Sequence, residues 1–203
     1  MENQKKRILE AAEKEFVDKG FAGARTTIIA MNAGLSHTML HYYFKTKEQL
    51  FDEVLLSKIS FFQQSVLSAF DVSEMPIEEC IIEGARRHFD FLTVNPSLPR
   101  FALIALPKQH LRQLVHLIAP IAKQKFPSVQ QRLDEAYARG EINKVDFPML
   151  CVTIVSLNLL PFLANDVLSC VSEVVEGFEP SAFVERRKEE NLQIIRDILT
   201  KTK

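Results

Sequence analysis

Ile8, Ala12 and Phe16 recur at four-residue spacing, while Glu10, Glu13, Lys14 and Asp18 fall elsewhere around the same turns. That period predicts a helix over residues 3–19 with one buried stripe, stopped by Gly20. Thr26-Thr27 to Asn32 reads as a short second helix, and Ala33-Gly34-Leu35 as a tight turn. Ser36 is placed to cap a third helix running to Phe44. Thr46, with Gln49 three residues on, is the pattern of a capping box and opens a fourth helix. It points Leu50, Val54, Leu55, Ile59 and Phe62 inward and is expected to run to about Phe70. None of the nine prolines lies before Pro76, so proline interrupts no helix in this region.

Beyond Pro76 the apolar runs keep helical spacing and are punctuated by Asn95-Pro96, Pro99, Pro107, Pro120, Pro127, Gly140, Pro148 and Gly177-Pro180. Five further helices are expected, over roughly 76–93, 99–117 with a break allowed at Pro107, 120–139, 147–170 and 180–201. No segment reads as strand. The fold class is therefore all-α, with an N-terminal three-helix helix-turn-helix domain over 1–47 and a C-terminal helical bundle over 48–203. The long fourth helix is the expected joint between them.

Composition narrows this picture in three places. Apolar residues make up 47% and charged residues 25% of the 203, as in a globular protein with a sizeable core. The net charge of −1 hides a local asymmetry: no acidic residue lies between Asp18 and Glu48, a stretch holding Lys19, Arg25, His37, His41, Lys45 and Lys47. A surface that approaches a polyanion has this character, although chance and a small-residue turn would also produce it. Cys80, Cys151 and Cys170 are odd in number and sit in apolar sequence, which suits reduced, buried thiols in a cytoplasmic protein. Residues 1–20 alternate charged and apolar side chains and do not form a signal peptide. Phe147–Asn165 is uncharged over 19 residues, near the length of a bilayer span. Thr153, Ser156, Asn158 and Pro161 inside it, and the lack of flanking Lys/Arg clusters, favour a helix buried between others or at a subunit interface over a membrane segment.

Residues 26–45 define a geometric object. Two short helices joined by a glycine-containing turn cross steeply and need small side chains at the crossing, here Ala30 and Ala33. Ile29, Leu35, Leu40, Tyr43 and Phe44 form the apolar set that would hold them to the first helix. Thr38, His41, Tyr42 and Lys45 then share the opposite face of the third helix, with hydroxyls, an imidazole and an ammonium but no carboxylate. Such a face fits a DNA major groove. The competing readings are a two-histidine metal site at His37 and His41, a Tyr42 packed on its own helix, and ordinary solvated lysines at 45 and 47.

With Ile8, Ala12, Phe16, Gly20-Phe21, Thr26-Thr27, Ile29-Ala30, Ala33-Gly34-Leu35-Ser36, Leu40, Tyr43-Phe44, Lys47-Glu48 and Leu50-Phe51 in register, residues 5–55 resemble the DNA-binding domain of the TetR family of bacterial repressors. Family members usually carry Gly where Thr38 stands and Tyr where His41 stands, departures that bear on which operator is read. The resemblance implies contacts to phosphates, and to one base at most, at the start of the second helix from Arg25, Thr26 and Thr27. It implies base-edge contacts from His37, Thr38 and His41, and phosphate contacts from Tyr42, Lys45 and Lys47. It also implies a palindromic operator in double-stranded DNA, a homodimer formed through the last two long helices, and a small-molecule effector that releases a repressor.

The second domain permits this on its own terms. The uncharged 147–165 helix, and Leu192, Ile195 and Leu199 in the last helix, give two apolar faces that a four-helix interface between two copies would bury. Phe89, Leu92, Phe101, His110, Leu114, Thr153 and Asn158 are the candidate ligand contacts, for an apolar, partly aromatic molecule; the plainer reading makes these residues core. The chain has no GxGxxG, P-loop, HExxH, GxSxG or zinc-spaced Cys/His set, so neither an enzyme nor a cofactor or metal is expected. The alternative to a ligand-released repressor is an architectural or ligand-independent DNA-binding protein.

Overall fold

A computed structural model describes residues 2–71, 74–96, 98–100 and 108–200. Among them there are helices and turns but no strand: α1 Glu2–Gly23, α2 Thr26–Asn32, α3 His37–Tyr43, α4 Lys47–Ser65, a 3₁₀ turn Leu67–Asp71, α5 Ile77–Val94, α6 Leu98–Arg100, α7 Lys108–Ala138, α8 Phe147–Leu163, α9 Asn165–Val174 and α10 Pro180–Leu199. The chain forms two compact units, Met1–Phe61 with Arg100–Ile118 and Phe62–Pro99 with Ala119–Lys203, so the division passes within α4 and within α7.

In the first unit α1 packs on α2 and α2 on α3. Ile8, Ala12 and Phe16 are fully buried, as their spacing requires, together with Ile29, Ala30, Ala33, Leu40 and Phe44. Phe16 meets Phe51 edge to face with ring centroids 5.0 Å apart, and Phe21 closes on Phe51 at 5.1 Å. Gly20 breaks α1 as expected, at φ +66°. The Ser36 hydroxyl accepts from the Met39 amide at 3.2 Å and so caps α3. At α4 the Thr46 Oγ1 accepts from the Gln49 amide (3.1 Å), while Gln49 Oε1 reaches one residue further back, to the Lys45 amide (3.0 Å). The box closes, offset by one residue from the standard pairing.

In the second unit α5, α8 and α10 pack on one another around Cys80, Ile81, Ala85, Leu133, Ala136, Ile142, Leu192, Ile195 and Leu199. A smaller cluster gathers Val66, Phe89, Phe91, Leu92 and Phe162.

Three expected boundaries differ. The fourth helix ends at Ser65, and the chain to Asp71 tightens into a 3₁₀ turn that buries Ala69. Pro120 does not start a helix, because α7 runs through both Pro120 and Pro127. The carbonyls that lose an amide partner there belong to His116 and Lys123, both exposed, where water can take the place of the missing N–H. The segment expected as one helix over 147–170 is two helices bent by 51°. Pro161 lies in the last turn of α8 and weakens it, and Ala164 ends it. No single described helix is long and apolar enough to cross a membrane; α8 and α9 reach that length only as this bent pair. One face of α8 is buried in the unit through Leu150, Ile154, Asn158, Pro161 and Phe162.

Candidate nucleic-acid interface and ligand cavity

The turn between α2 and α3 depends on Gly34, at φ +65°. A β-carbon built there would also run into the guanidinium of Arg7, which lies over the turn from α1. Arg7 is a contact that the spacing of apolar residues could not reveal. Gly34→Ala should destabilise this unit by roughly 1–2 kcal/mol from the left-handed backbone alone, lowering the urea midpoint of helix loss followed by circular dichroism. An unchanged midpoint would show that the turn does not hold this conformation in solution.

The crossing sets α3 with Leu40 inward and with Thr38, His41 and Tyr42 outward, all three exposed, as are Arg25, Thr27, His37 and Lys45. The outward side chains are organised among themselves. Thr26 Oγ1 lies 3.0 Å from His37 Nε2, tying the start of α2 to the start of α3. The His37 and His41 rings meet edge to face at 4.4 Å. Tyr42 is 64% exposed, with the Lys45 ammonium 5.8 Å from its ring, so it does not pack flat on its own helix. Tyr43, its neighbour, turns inward and its hydroxyl donates to Gln4 Oε1 at 3.0 Å. Arg25 donates its amide to Glu15 Oε1 at 3.2 Å. Among the described residues no group of three or more His, Cys, Asp or Glu gathers that could hold a metal.

Lys47 is placed differently from the other cations. Its ammonium donates to the Ala24 carbonyl at 3.2 Å and sits 4.7 Å from the Phe21 ring centroid. It is half-buried and clamps the start of α4 to the α1–α2 loop.

The second unit contains an apolar cavity of about 80 Å³. Phe62, Phe70, Phe126 and Phe147 line it with Cys151 and Ile154, and His88 and Lys125 bring the polar groups. Lys125 is ion-paired with Asp71. Burial pushes the Cys151 thiol up to about 12, so it stays protonated and a poor nucleophile. Gly84 lets the Phe70 ring close over α5, since a β-carbon there would come within 2.8 Å of it.

Of the candidate ligand contacts among the described residues, none lines this cavity. Phe89 and Leu92 are buried in the smaller core cluster. Thr153 returns its hydroxyl to the Met149 carbonyl on its own helix. Phe101 lies outside the described residues, as do the side chains of His110 and Leu114. Asn158 reaches the cavity wall indirectly, through His88. The residues missed are His88 and Asn191, each a polar position on an otherwise apolar helix face. That is a readable signal: His88 continues the Ile81–Ala85 stripe of α5, and Asn191 precedes Leu192 on α10.

The α2–turn–α3 pair, with an exposed, carboxylate-free face on α3, is the arrangement of a helix-turn-helix DNA-binding protein. Residues 8–54 match the model of bacterial regulatory proteins, tetR family. The HTH-type transcriptional regulator YdgC of Bacillus subtilis is 25% identical over 142 residues, 68% of this chain and 70% of that protein. The HTH-type transcriptional repressor SCO4008 of Streptomyces coelicolor is 35% identical over 100 residues, 49% of this chain and 47% of that one. The fold is also that of AibR, solved in complex with isovaleryl coenzyme A and operator DNA: TM-score 0.68, 17% identity, covering 94% of this chain and 97% of that one. Over residues 8–54 the chain carries a DNA-binding domain of the kind found in bacterial regulatory proteins of the tetR family, and the chain is similar to DNA-binding transcriptional regulators.

Proposed function

We propose that the protein is a homodimeric, cytoplasmic repressor that binds a palindromic operator and is released by a small molecule bound in its second unit. The observation that carries the DNA-binding part is the ordered exposed set on α3. Thr38 and His41 read base edges, with His37 beside them held by Thr26. Arg25, Thr26, Thr27, Tyr42 and Lys45 contact the phosphate backbone. Lys47 acts there chiefly as a clamp, because its ammonium is already committed to Ala24.

Dimerisation is supported by an exposed apolar face that a monomer would leave in water. Met149 (66% exposed), Val152 (60%) and Leu160 (61%) lie on α8, and Ile194 lies on α10, in place of Leu192, Ile195 and Leu199, which are buried in the unit's own core. A second copy covering this face would form a four-helix interface. Two recognition helices then need a separation of ~34–36 Å to enter successive major grooves. A ligand that binds better to a conformation with another separation weakens operator binding by that difference in affinity. The apolar cavity supports an effector, and the related fold of AibR with isovaleryl coenzyme A bound is in keeping with one.

The test is fluorescence anisotropy of the full-length protein on duplexes tiling the DNA upstream of its own gene, at two salt concentrations, with sedimentation velocity on the free protein. Tight, salt-dependent binding to one palindromic tile by a dimer is expected. Weak binding of equal strength to every tile of random genomic DNA as well would favour an architectural role. A monomer at micromolar concentration would overturn the symmetric operator.

A further inference from the structure

A chain of buried amides fixes what the cavity can recognise. Asn191 Nδ2 donates to the Leu157 carbonyl (3.0 Å) and to Asn158 Oδ1 (3.0 Å). The Leu157 carbonyl is available because Pro161, four residues on, has no amide hydrogen to offer it. Asn158 Nδ2 donates to the Ala85 carbonyl (2.9 Å) and faces His88 Nδ1 at 3.3 Å. Each amide nitrogen is thus identified by a backbone carbonyl, which can only accept, so neither amide can be reversed without setting acceptor against acceptor. The second Asn158 proton therefore points at His88 Nδ1, which must accept it. The ring is left with its proton on Nε2, and among the described residues no group accepts it.

Asn158 and Asn191 are fully buried and His88 is 7% exposed, so this arrangement is held rigidly rather than averaged by water. Burial also lowers the pKa of His88 to about 4, which keeps the ring neutral near pH 7 and the Nε2–H its one donor. The rest of the wall is apolar apart from Lys125, whose charge is already met by Asp71. A carboxylate entering here would have no uncommitted cation, and an amine no acceptor.

We propose that the cavity takes an apolar ligand with one uncharged acceptor oxygen, a ketone, ester or thioester carbonyl, which receives the Nε2–H of His88. This rests on the reading of the cavity as the effector site, and it specifies the chemistry of that site.

The test is made on the full-length protein without DNA. Isothermal titration calorimetry compares methyl butyl ketone, the alkene in which a methylene replaces its carbonyl oxygen, hexanoate and hexylamine. The ketone is expected to bind about tenfold more tightly than the alkene, with hexanoate and hexylamine weaker than both, and His88→Phe is expected to abolish the preference for the ketone. Nitrogen-15 NMR of the histidine side chains supplies a readout that does not depend on a variant folding. The His88 signals should be those of a neutral ring protonated at Nε2, and the Nε2 signal should move on adding the ketone. Equal affinity for ketone and alkene, preference for hexanoate or hexylamine, no binding of any probe, or a ring protonated at Nδ1 would each overturn the assignment. Binding of the ketone without any change in operator affinity would leave the assignment standing and remove the effector role.

Discussion

Replacing Thr38 and His41 together by Ala should weaken binding to the operator by roughly 2–4 kcal/mol per half-site, about thirty-fold to a thousand-fold, while leaving non-specific binding almost unchanged. Both side chains are exposed on the outer face of α3, and neither contributes to the buried core of the unit, so the helix should survive the change. The losses are those of base contacts, and these discriminate sequence. Phosphate contacts, by contrast, add affinity that every sequence shares. Lys45→Ala should accordingly lower affinity for operator and random duplex alike and reduce the slope of log affinity against log salt by about one per half-site, about two for the dimer. The double variant should lower the ratio of the two affinities and leave that slope where it was. Anisotropy titrations of both variants on operator and scrambled duplexes, at several salt concentrations, separate the two classes. A double variant that kept its preference for the operator would remove α3 from sequence reading. Retention of the slope in Lys45→Ala would mean that its ammonium stays with Tyr42 and off the backbone.

The two halves of the molecule were unequally legible in the sequence. Local chemistry governs the first unit, and local chemistry is written in short spacings. The Ile8–Ala12–Phe16 stripe is buried, Ser36 caps α3, Gly20 breaks α1, and Leu40 and Phe44 face inward. The outward set of α3 follows once the inward set is known. Lys47 shows where that logic ends. Its charge suited a phosphate, but the carbonyl of Ala24 and the ring of Phe21 come from loop and helix packing that no local pattern encodes.

In the second unit, helix spacing revealed which positions were apolar but not which apolar positions leave a gap. A cavity exists where side chains from distant segments fail to meet, here α5, α7 and α8 and the residues around Val66 and Phe70. Phe89 and Leu92 are as aromatic and apolar as Phe62 and Phe70, yet they fill space that the others only border. Proline was over-read as punctuation. Pro120 and Pro127 sit inside α7, where the carbonyls they release belong to exposed residues, and Pro161 releases a carbonyl to which Asn191 donates. A proline whose orphaned carbonyl finds a partner need not end a helix.

The same buried network makes the second unit sensitive to acid in a way that can be assigned to one residue. His88 titrates at about 4 in the folded protein, against 6.5 for an unperturbed histidine, and desolvation by burial is the cause. Between those values the unfolded chain binds a proton that the folded chain refuses, so stability falls as pH drops through that window. The contribution is complete above about pH 6.5 and is lost by about pH 4. Its size is roughly 3 kcal/mol, set by the gap between the two pKa values. Protonation would also put a second proton on Nδ1, directly against the Asn158 amide, which has no lone pair to accept it. The other ionisable side chains around the same cavity do not produce this effect. Lys125 is ion-paired with Asp71, and Cys151 is held protonated by burial. Carboxylates elsewhere add their own acid dependence, so the comparison is with His88→Gln, whose amide oxygen can still accept from Asn158 and does not titrate. Urea unfolding at intervals from pH 7 to pH 4 should show wild type losing about 3 kcal/mol more than the variant over that range. Parallel curves for the two proteins would mean that His88 opens to water before it is protonated, and that the network is not closed in solution.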